Sequence, residues 1–373
     1  MDTNIAGGTN KHIFTNLLQL EALAREVMEP GAFDFIAGGA EDEVTLRRNR
    51  EDFERITLRP RVLVDVSNVD TSTTLLGAPI TMPVLLAPAV GHKLCCDVGE
   101  IATARAATEA GVIMVVSTLA TVSMEDIAAA SDAPRWFQLY VYKDREVTRM
   151  LVQRAETAGY KALCVTVDVP HIGHRERDLR NAFNFPEKYP FANFTGIGLE
   201  SLPVGVAGIS NLGAYATSKW DPSLGWKDIG WLASLSSLPV VIKGVLTAED
   251  ALLAAEHGAA AVIVSNHGGR QLDSVSSSVA ALPEVVEAVG DRLEVLMDGG
   301  VRRGTDVLKA LALGARAVLI GRPYLYGLAL AGQEGALRVL EILREELATT
   351  MALAGRPTLP GGDRGLVQIR RGE

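Results

Sequence analysis

His267 and Arg270 stand three residues apart in the run Ser265-Asn266-His267-Gly268-Gly269-Arg270-Gln271-Leu272-Asp273. An imidazole can move a proton near neutral pH. A guanidinium can hold a carboxylate through two parallel hydrogen bonds. Gly268 and Gly269 let backbone come close to a flat or charged ligand. A base and an anion anchor on one turn point to chemistry on a small organic acid.

The run Ala260-Ala261-Val262-Ile263-Val264 just before it reads as a buried strand, so the pair lies past a strand's C-terminal end. Seven more apolar, β-rich runs are found: Val84–Ala87, Val112–Val116, Trp136–Tyr140, Ala162–Val167, Pro239–Ile242, Leu293–Met297 and Ala317–Ile320. Each is nearly continuous in hydrophobics, as strands buried on both faces are. Helical periodicity fills most of the intervals, at Gly99–Ala110, Met124–Ala130, Arg145–Ala158, Ala248–His257, Val279–Val289 and Arg303–Leu313. Eight strand–helix units with short, regular connections predict a (β/α)8 barrel, in preference to a doubly wound sheet. The whole chain is read as one domain: an N-terminal helical cap over 1–80, the barrel over 81–355 and a tail over 356–373. In the cap, Asn16–Val27 is an amphipathic helix with Leu17, Leu20, Leu23, Ala24 and Val27 on one stripe, and Phe33–Ala40 and Glu41–Phe53 continue it. Between Asp168 and Leu238 lie about seventy residues, far beyond an ordinary connection. This insertion, placed at about 175–235, follows the fourth strand and is read as a mobile lid over the active face rather than a spacer.

With 373 residues, 36 of them Gly, and 48% hydrophobics, the chain can bury a large α/β core. A net charge of −9 argues against a nucleic-acid surface. No apolar run reaches the length of a membrane span. Met1-Asp2-Thr3-Asn4 lacks the parts of a signal peptide, and Arg370–Glu373 carries no peroxisomal or endoplasmic-reticulum address, so a cytoplasmic location is expected. Cys95, Cys96 and Cys164 form neither a disulfide framework nor a zinc pattern, and no metal site is expected.

Pro88-Ala89-Val90 stand at the first strand's C-terminal end, and polar groups gather at nearly all the others, where barrel enzymes keep their sites: Ser117, Gln138, Tyr140, Thr166, Asp168, Lys243, Ser265 and Asp298. Lys243 closes the strand Pro-Val-Val-Ile; burying it unpaired would cost several kcal/mol, so a ligand is expected beside it. Gly299, Gly300 and Gly321 expose backbone N–H groups, Arg302 and Arg322 add charge, and helices follow both segments. Loops after strands seven and eight are the usual barrel phosphate site.

These motifs resemble the FMN-dependent α-hydroxy acid oxidases and dehydrogenases over roughly residues 15–355. The resemblance is carried by Phe137-Gln138-Leu139-Tyr140, Thr166-Val167-Asp168, Lys243-Gly244-Val245, Ser265–Asp273, Asp298–Gly304 and Ile320-Gly321-Arg322, in that order. It implies FMN across the barrel mouth. Arg302, Gly321 and Arg322 would meet its phosphate, Ser117, Gln138 and Thr166 its ring, and Lys243 its N1/C2 edge. Pro88, Ala89, Val90, Ser265, Asp298, Gly299 and Gly300 would complete the cofactor site. His267 would be the base, oriented by Asp168. Arg270 and Arg175 would hold the substrate carboxylate, and Tyr140 would hydrogen-bond the reacting oxygen. The reaction implied is oxidation of an L-2-hydroxy acid to the 2-oxo acid, with O2 as acceptor giving H2O2. The resemblance also implies a homotetramer, or tetramers paired into octamers.

The chain departs from the family at several positions. Phe35 stands where a tyrosine usually helps bind the carboxylate. Leu119 replaces a frequent aromatic, Gly91 is small, and Val90 is larger than the residue common there. Phe35, Leu119 and Gly91 predict a roomier, more apolar pocket and a larger or aromatic, mandelate-like acid. Val90 could hinder O2, which keeps a dehydrogenase with another acceptor as the alternative. A different FMN barrel enzyme, a phosphate-binding barrel lyase and a flavoprotein without catalysis are the remaining alternatives. His171 and His174 read as lid residues; His12, His92 and His257 read as structural.

Overall fold

The computed structural model describes residues 14–203, 205 and 210–370. His12 lies outside the described residues. Eight parallel strands close into a barrel in sequence order. They are β1 (Val84–Leu86), β2 (Met114–Val116), β3 (Arg135–Leu139), β4 (Leu163–Thr166), β5 (Val240–Val245), β6 (Ala261–Val264), β7 (Glu294–Asp298) and β8 (Ala317–Ile320). β8 returns to β1 with Leu319 beside Leu85, so no edge is left open. All eight runs predicted as strands are strands. Helices alternate with them, several started by side-chain caps: Ser123 accepts from Asp126 N, Thr247 from Asp250 N and Ser277 from Ala280 N.

Strand residues alternate between two apolar layers. Leu85, Val115, Trp136, Cys164, Val241, Ile263, Leu296 and Leu319 point into the barrel and form its buried interior. Their neighbours pack outward against the helices, in a second and larger cluster. The lower end is plugged by the hairpin Thr73–Leu75/Ala78–Ile80, whose Leu75 and Ile80 join the interior cluster. Cys95, Cys96 and Cys164 are all unpaired.

The cap differs in detail from its sequence reading. The first helix spans Leu20–Val27; Leu17 is buried but precedes it, and Val27 is 59% exposed, so Val27 does not belong to the buried stripe. The second helix starts earlier than predicted, at Pro30, because Glu29 accepts from Ala32 N and proline sits at its first position. It ends at Ala37, and the third helix runs Val44–Glu54. Asp273 starts that third helix from a distance, accepting from Val44 N at 3.1 Å and Thr45 N at 2.7 Å.

The insertion after β4 is a built element rather than a spacer. It carries helices Glu176–Arg180, Asn211–Lys219 and Trp226–Ala233. Its buried rings Phe185, Phe191 and Tyr215 pack on one another, and its Phe194 packs on Tyr142. No helix among the described residues is long and apolar enough to cross a membrane.

Candidate active site

One cavity of about 1160 Å3, including its open mouth, lies at the C-terminal end of the barrel. The inward register that lower down carries apolar side chains continues upward into polar ones. Two residues beyond Val115 is Ser117, beyond Trp136 is Gln138, beyond Cys164 is Thr166, beyond Val241 is Lys243 and beyond Leu296 is Asp298. Ser117 donates to Gln138 Oε1 at 3.3 Å, and Gln138 Nε2 donates to Thr166 Oγ1 at 3.0 Å, which makes a polar floor across β2, β3 and β4. Beside it Lys243 Nζ lies 2.9 Å from Asp298 Oδ2 and donates to Ser265 Oγ at 2.9 Å. The expectation that Lys243 would need a ligand is therefore corrected: its counter-charge is Asp298, from a strand two places on. Burial works against the ammonium, but Asp298 and Asp168 outweigh it and hold its pKa above the usual lysine range.

His267 and Asp168 meet on the cavity's rim. His267 Nδ1 is 3.0 Å from Asp168 Oδ1. His267 adopts a left-handed backbone, φ 58°, followed by Gly268 and Gly269 at 64° and 74°. For a residue other than glycine that conformation is uncommon, and the turn is pinned accordingly. Ser265 Oγ accepts from His267 N at 3.0 Å, and Asn266 exchanges paired amide hydrogen bonds with Asn49 at 2.9 and 2.8 Å. Gln271 Nε2 donates to the Asp168 and His171 carbonyls. A Cβ on Gly269 would press against the Leu46 backbone. Burial lowers the His267 pKa below its ordinary value, against the opposing pull of Asp168. Burial alone would raise the Asp168 pKa, but His267 and Lys243 bring it below the usual carboxylate range. The pair is thus a neutral imidazole held by an ionised carboxylate.

Four guanidiniums line this cavity: Arg175, Arg270, Arg302 and Arg322. None is within ion-pair distance of a carboxylate among the described residues. Arg270 instead donates to the Phe35 and Gly38 carbonyls at 2.7 and 2.9 Å, and lies 5.3 Å over the Phe35 ring. Arg322 donates to the Ile36, Ala37, Gly38 and Gly268 carbonyls. Arg175 reaches Gln271 only at 3.4 Å. Arg302 gives a single guanidinium hydrogen bond, to the Val301 carbonyl. Burial lowers the pKa of every one, to about 10 for Arg302, and in Arg270 the neighbouring Arg175 and Arg322 charges lower it further. Such a cluster calls for anions.

Two further groups fit a flat phosphorylated cofactor. Asp298 Oδ1 is buried without a hydrogen-bond partner. Gly299 and Gly300, at φ 93° and 82°, turn the chain beside Arg302, and a side chain on Gly300 would collide with the Asn49 carbonyl. An anion site around Arg302 and Gly321, next to a polar floor at the barrel centre, has the donor set that FMN requires.

Nearly all the residues singled out from the sequence line the one cavity: Phe35, Pro88, Ala89, Val90, Ser117, Leu119, Gln138, Tyr140, Thr166, Arg175, Lys243, His267, Arg270, Asp298, Gly299, Gly300, Arg302, Gly321 and Arg322. Asp168 and Ser265 stand behind it, touching His267 and Lys243. Gly91 is not at the cavity; its φ of 85° and its packing on Leu94 and Phe185 account for the glycine, so it adds no room. Arg175, set in the charged run His174–Asp178, is half-buried and lines the cavity. Residues missed from the sequence are Asn49, Asn266, Gln271 and Asp273, which position the His267 turn, and Ile172, Leu212 and Trp220, which wall the cavity. Asn266, Gln271 and Asp273 stand in the Ser265–Asp273 run itself, whereas nothing local to Asn49 signalled its contact with that turn.

The family model for FMN-dependent dehydrogenase matches residues 24–368. Glycolate oxidase 3 of Arabidopsis thaliana is 51% identical over 341 residues, covering 91% of this chain and 92% of that protein. L-lactate oxidase of a Nostoc species is 52% identical over 344 residues, covering 91% and 94%. A crystal structure of a mandelate oxidase with (S)-4-hydroxymandelic acid superposes with a TM-score of 0.91 at 42% identity, over 96% of this chain and 99% of that one. This chain belongs to the FMN-dependent dehydrogenase family, the α-hydroxy acid oxidases and their relatives. Its cofactor is FMN and its chemistry the oxidation of 2-hydroxy acids.

Proposed function

We propose that this chain oxidises a larger or aromatic L-2-hydroxy acid to the 2-oxo acid and passes the electrons to O2. The observation that carries the reading is the Asp168–His267 pair, at 3.0 Å, on the rim of a cavity with two carboxylate-free arginines, Arg175 and Arg270. The two arginines bind the substrate carboxylate. With Nδ1 engaged by Asp168, Nε2 of His267 is the nitrogen left to take the proton released on oxidation, and Asp168 stabilises the imidazolium that results. Tyr140 lines the same cavity, and burial and the nearby Asp168 push its pKa up to about 12. It therefore stays a phenol and donates to the reacting oxygen. When bound, FMN supplies the two-electron acceptor that O2 can reoxidise to give H2O2. Arg302, Gly321 and Arg322 would hold its phosphate, Ser117, Gln138 and Thr166 would face its ring, and the Lys243 ammonium would favour negative charge on it.

The preference for a larger acid is supported by the apolar wall Leu119, Val169, Ile172, Leu212 and Trp220, and by the resemblance to an oxidase bound to a hydroxymandelate. Oxygen as acceptor is supported by the oxidases among the relatives. A homotetramer rests on the family resemblance alone. The test is a spectrum. The purified yellow protein should bleach anaerobically with 2-hydroxy acids, faster with mandelate than with glycolate, and regain its colour with peroxide release in air. A colourless protein that FMN does not restore would overturn the reading. Faster bleaching by glycolate would overturn the substrate preference, and reoxidation only by an artificial acceptor would make it a dehydrogenase.

A further inference from the structure

A second cavity, of about 980 Å3 including its open mouth, lies beside the first and shares Tyr140, Thr166, Val169 and Trp220 with it. The partition between them is the stacked pair Tyr140–Trp220, with ring centroids 3.9 Å apart and planes at 22°. Trp220 is fixed from both sides. It follows the helix Asn211–Lys219, and its segment pairs with the one after β3: Lys143 N donates to Lys219 O at 2.9 Å and Asp221 N to Val141 O at 3.0 Å. Arg145 then ties Asp221 at 2.7 Å. Beyond the partition the walls are mostly apolar, including Val141, Val167, Pro170, Leu224 and Ile229. Among the lining residues there is no cation, and the carboxylates there are already engaged, Asp221 accepting from Arg145 and Asp250 from the Thr247 hydroxyl. The second cavity thus has nothing to hold a carboxylate and much to cover an apolar chain.

We propose that the Trp220 indole sets the upper size limit of the substrate, closing the first cavity against a second that would otherwise take the distal end of a long 2-hydroxy acid. The inference rests on the 2-hydroxy acid reading above. The acid's head group stays with Arg175 and Arg270, so only its tail can meet Trp220. Removing the indole joins the two cavities and lets additional methylenes leave water.

The test uses the FMN-loaded protein and 2-oxo acids, which bind without turnover, followed by the flavin spectrum. In the unaltered protein affinity should rise with chain length and then level off. In Trp220→Ala it should keep rising, by about fourfold for each methylene newly buried. The ratio of Kd for 2-oxobutanoate to Kd for 2-oxodecanoate should therefore grow at least tenfold. A ratio is chosen because loss of the stack also loosens Tyr140, which affects both acids alike. Trp220→Leu opens the same partition while keeping much of the apolar volume, and serves if the alanine variant folds poorly. Leu224→Trp in the Trp220→Ala background refills the second cavity and should restore the levelling. An unchanged ratio in the opened variants, or a gain that survives Leu224→Trp, overturns the proposal. If no 2-oxo acid perturbs the spectrum and no 2-hydroxy acid bleaches it, the functional reading itself has failed; a normal response to short acids with an unchanged ratio defeats only the role of Trp220.

Discussion

The lower and upper layers of the barrel interior come from the same strands and the same inward register, yet they are built to opposite rules. Below, Leu85, Val115, Trp136, Val241, Ile263 and Leu296 are fully or almost fully buried and make a dry core plugged by Leu75 and Ile80. Two residues higher, Ser117, Gln138, Thr166, Lys243, Ser265 and Asp298 are nearly as buried but polar or charged. The lower layer carries no charge, and its one polar side-chain group, the Trp136 indole N–H, is buried without a partner. The upper layer satisfies itself only in part: Asp298 Oδ1 has no partner, and the arginines around it have no carboxylates. Depth in the barrel therefore separates stability from chemistry, with the change falling within one strand repeat.

That contrast can be broken from either side. The largest effect should come from the upper rim. His267→Ala should lower kcat by about 10²–10⁴-fold, as loss of a general base does, while the yellow colour and the melting temperature stay near those of the parent. Next is Lys243→Met, which leaves Asp298 buried without its counter-charge. Breaking such a pair costs about 3–5 kcal/mol, so here both stability and flavin reduction should fall, measured by thermal melts and anaerobic bleaching. If Lys243→Met proved thermally neutral, the separation by depth would be sharper than drawn here. In the lower layer Leu296→Ala should cost about 2–5 kcal/mol in denaturant unfolding, with kcat little changed in the surviving folded protein.

The smallest effect is a displacement in pH. With His267 as the proposed base, kcat/KM should be full above the His267 pKa and fall as pH drops through it. Burial holds that pKa below 6.5, so the acid limb should lie below pH 6.5. Asp168 opposes that lowering. Asp168→Asn should therefore move the limb to still lower pH, with a reduced plateau, because the neutral amide no longer stabilises the imidazolium. A limb that moved to higher pH would mean that Asp168 does not act on His267.

Much of the upper layer was legible in the sequence because barrel strands obey a period of two. Once Val115, Trp136, Cys164 and Val241 are read as inward, Ser117, Gln138, Thr166 and Lys243 follow as the next inward positions. Strand existence was legible for the same reason, since β-branched runs buried on both faces have little other use. What escaped depended on contacts far apart in the chain. Nothing local to Lys243 announces Asp298, and nothing local to Phe35 announces Arg270 above its ring. Gly91 was read for its size, when its backbone angle was the cause. Trp220 looked like one aromatic among several in a long insertion; only the fold lays it on Tyr140. Helix ends shifted by a few residues where caps such as Glu29 or Asp273 governed them, one from next door and one from across the molecule.

The carbonyls at the end of the helix Pro30–Ala37 find their donors in Arg270 and Arg322. Ile36 and Arg322 are separated by 286 residues. At ribosomal rates of about 5–20 residues per second, the early helix waits roughly 15–60 seconds for the guanidinium that completes it. The hydrogen bonds that close the end of this early helix can therefore be completed only after Arg322 has been made, late in biosynthesis.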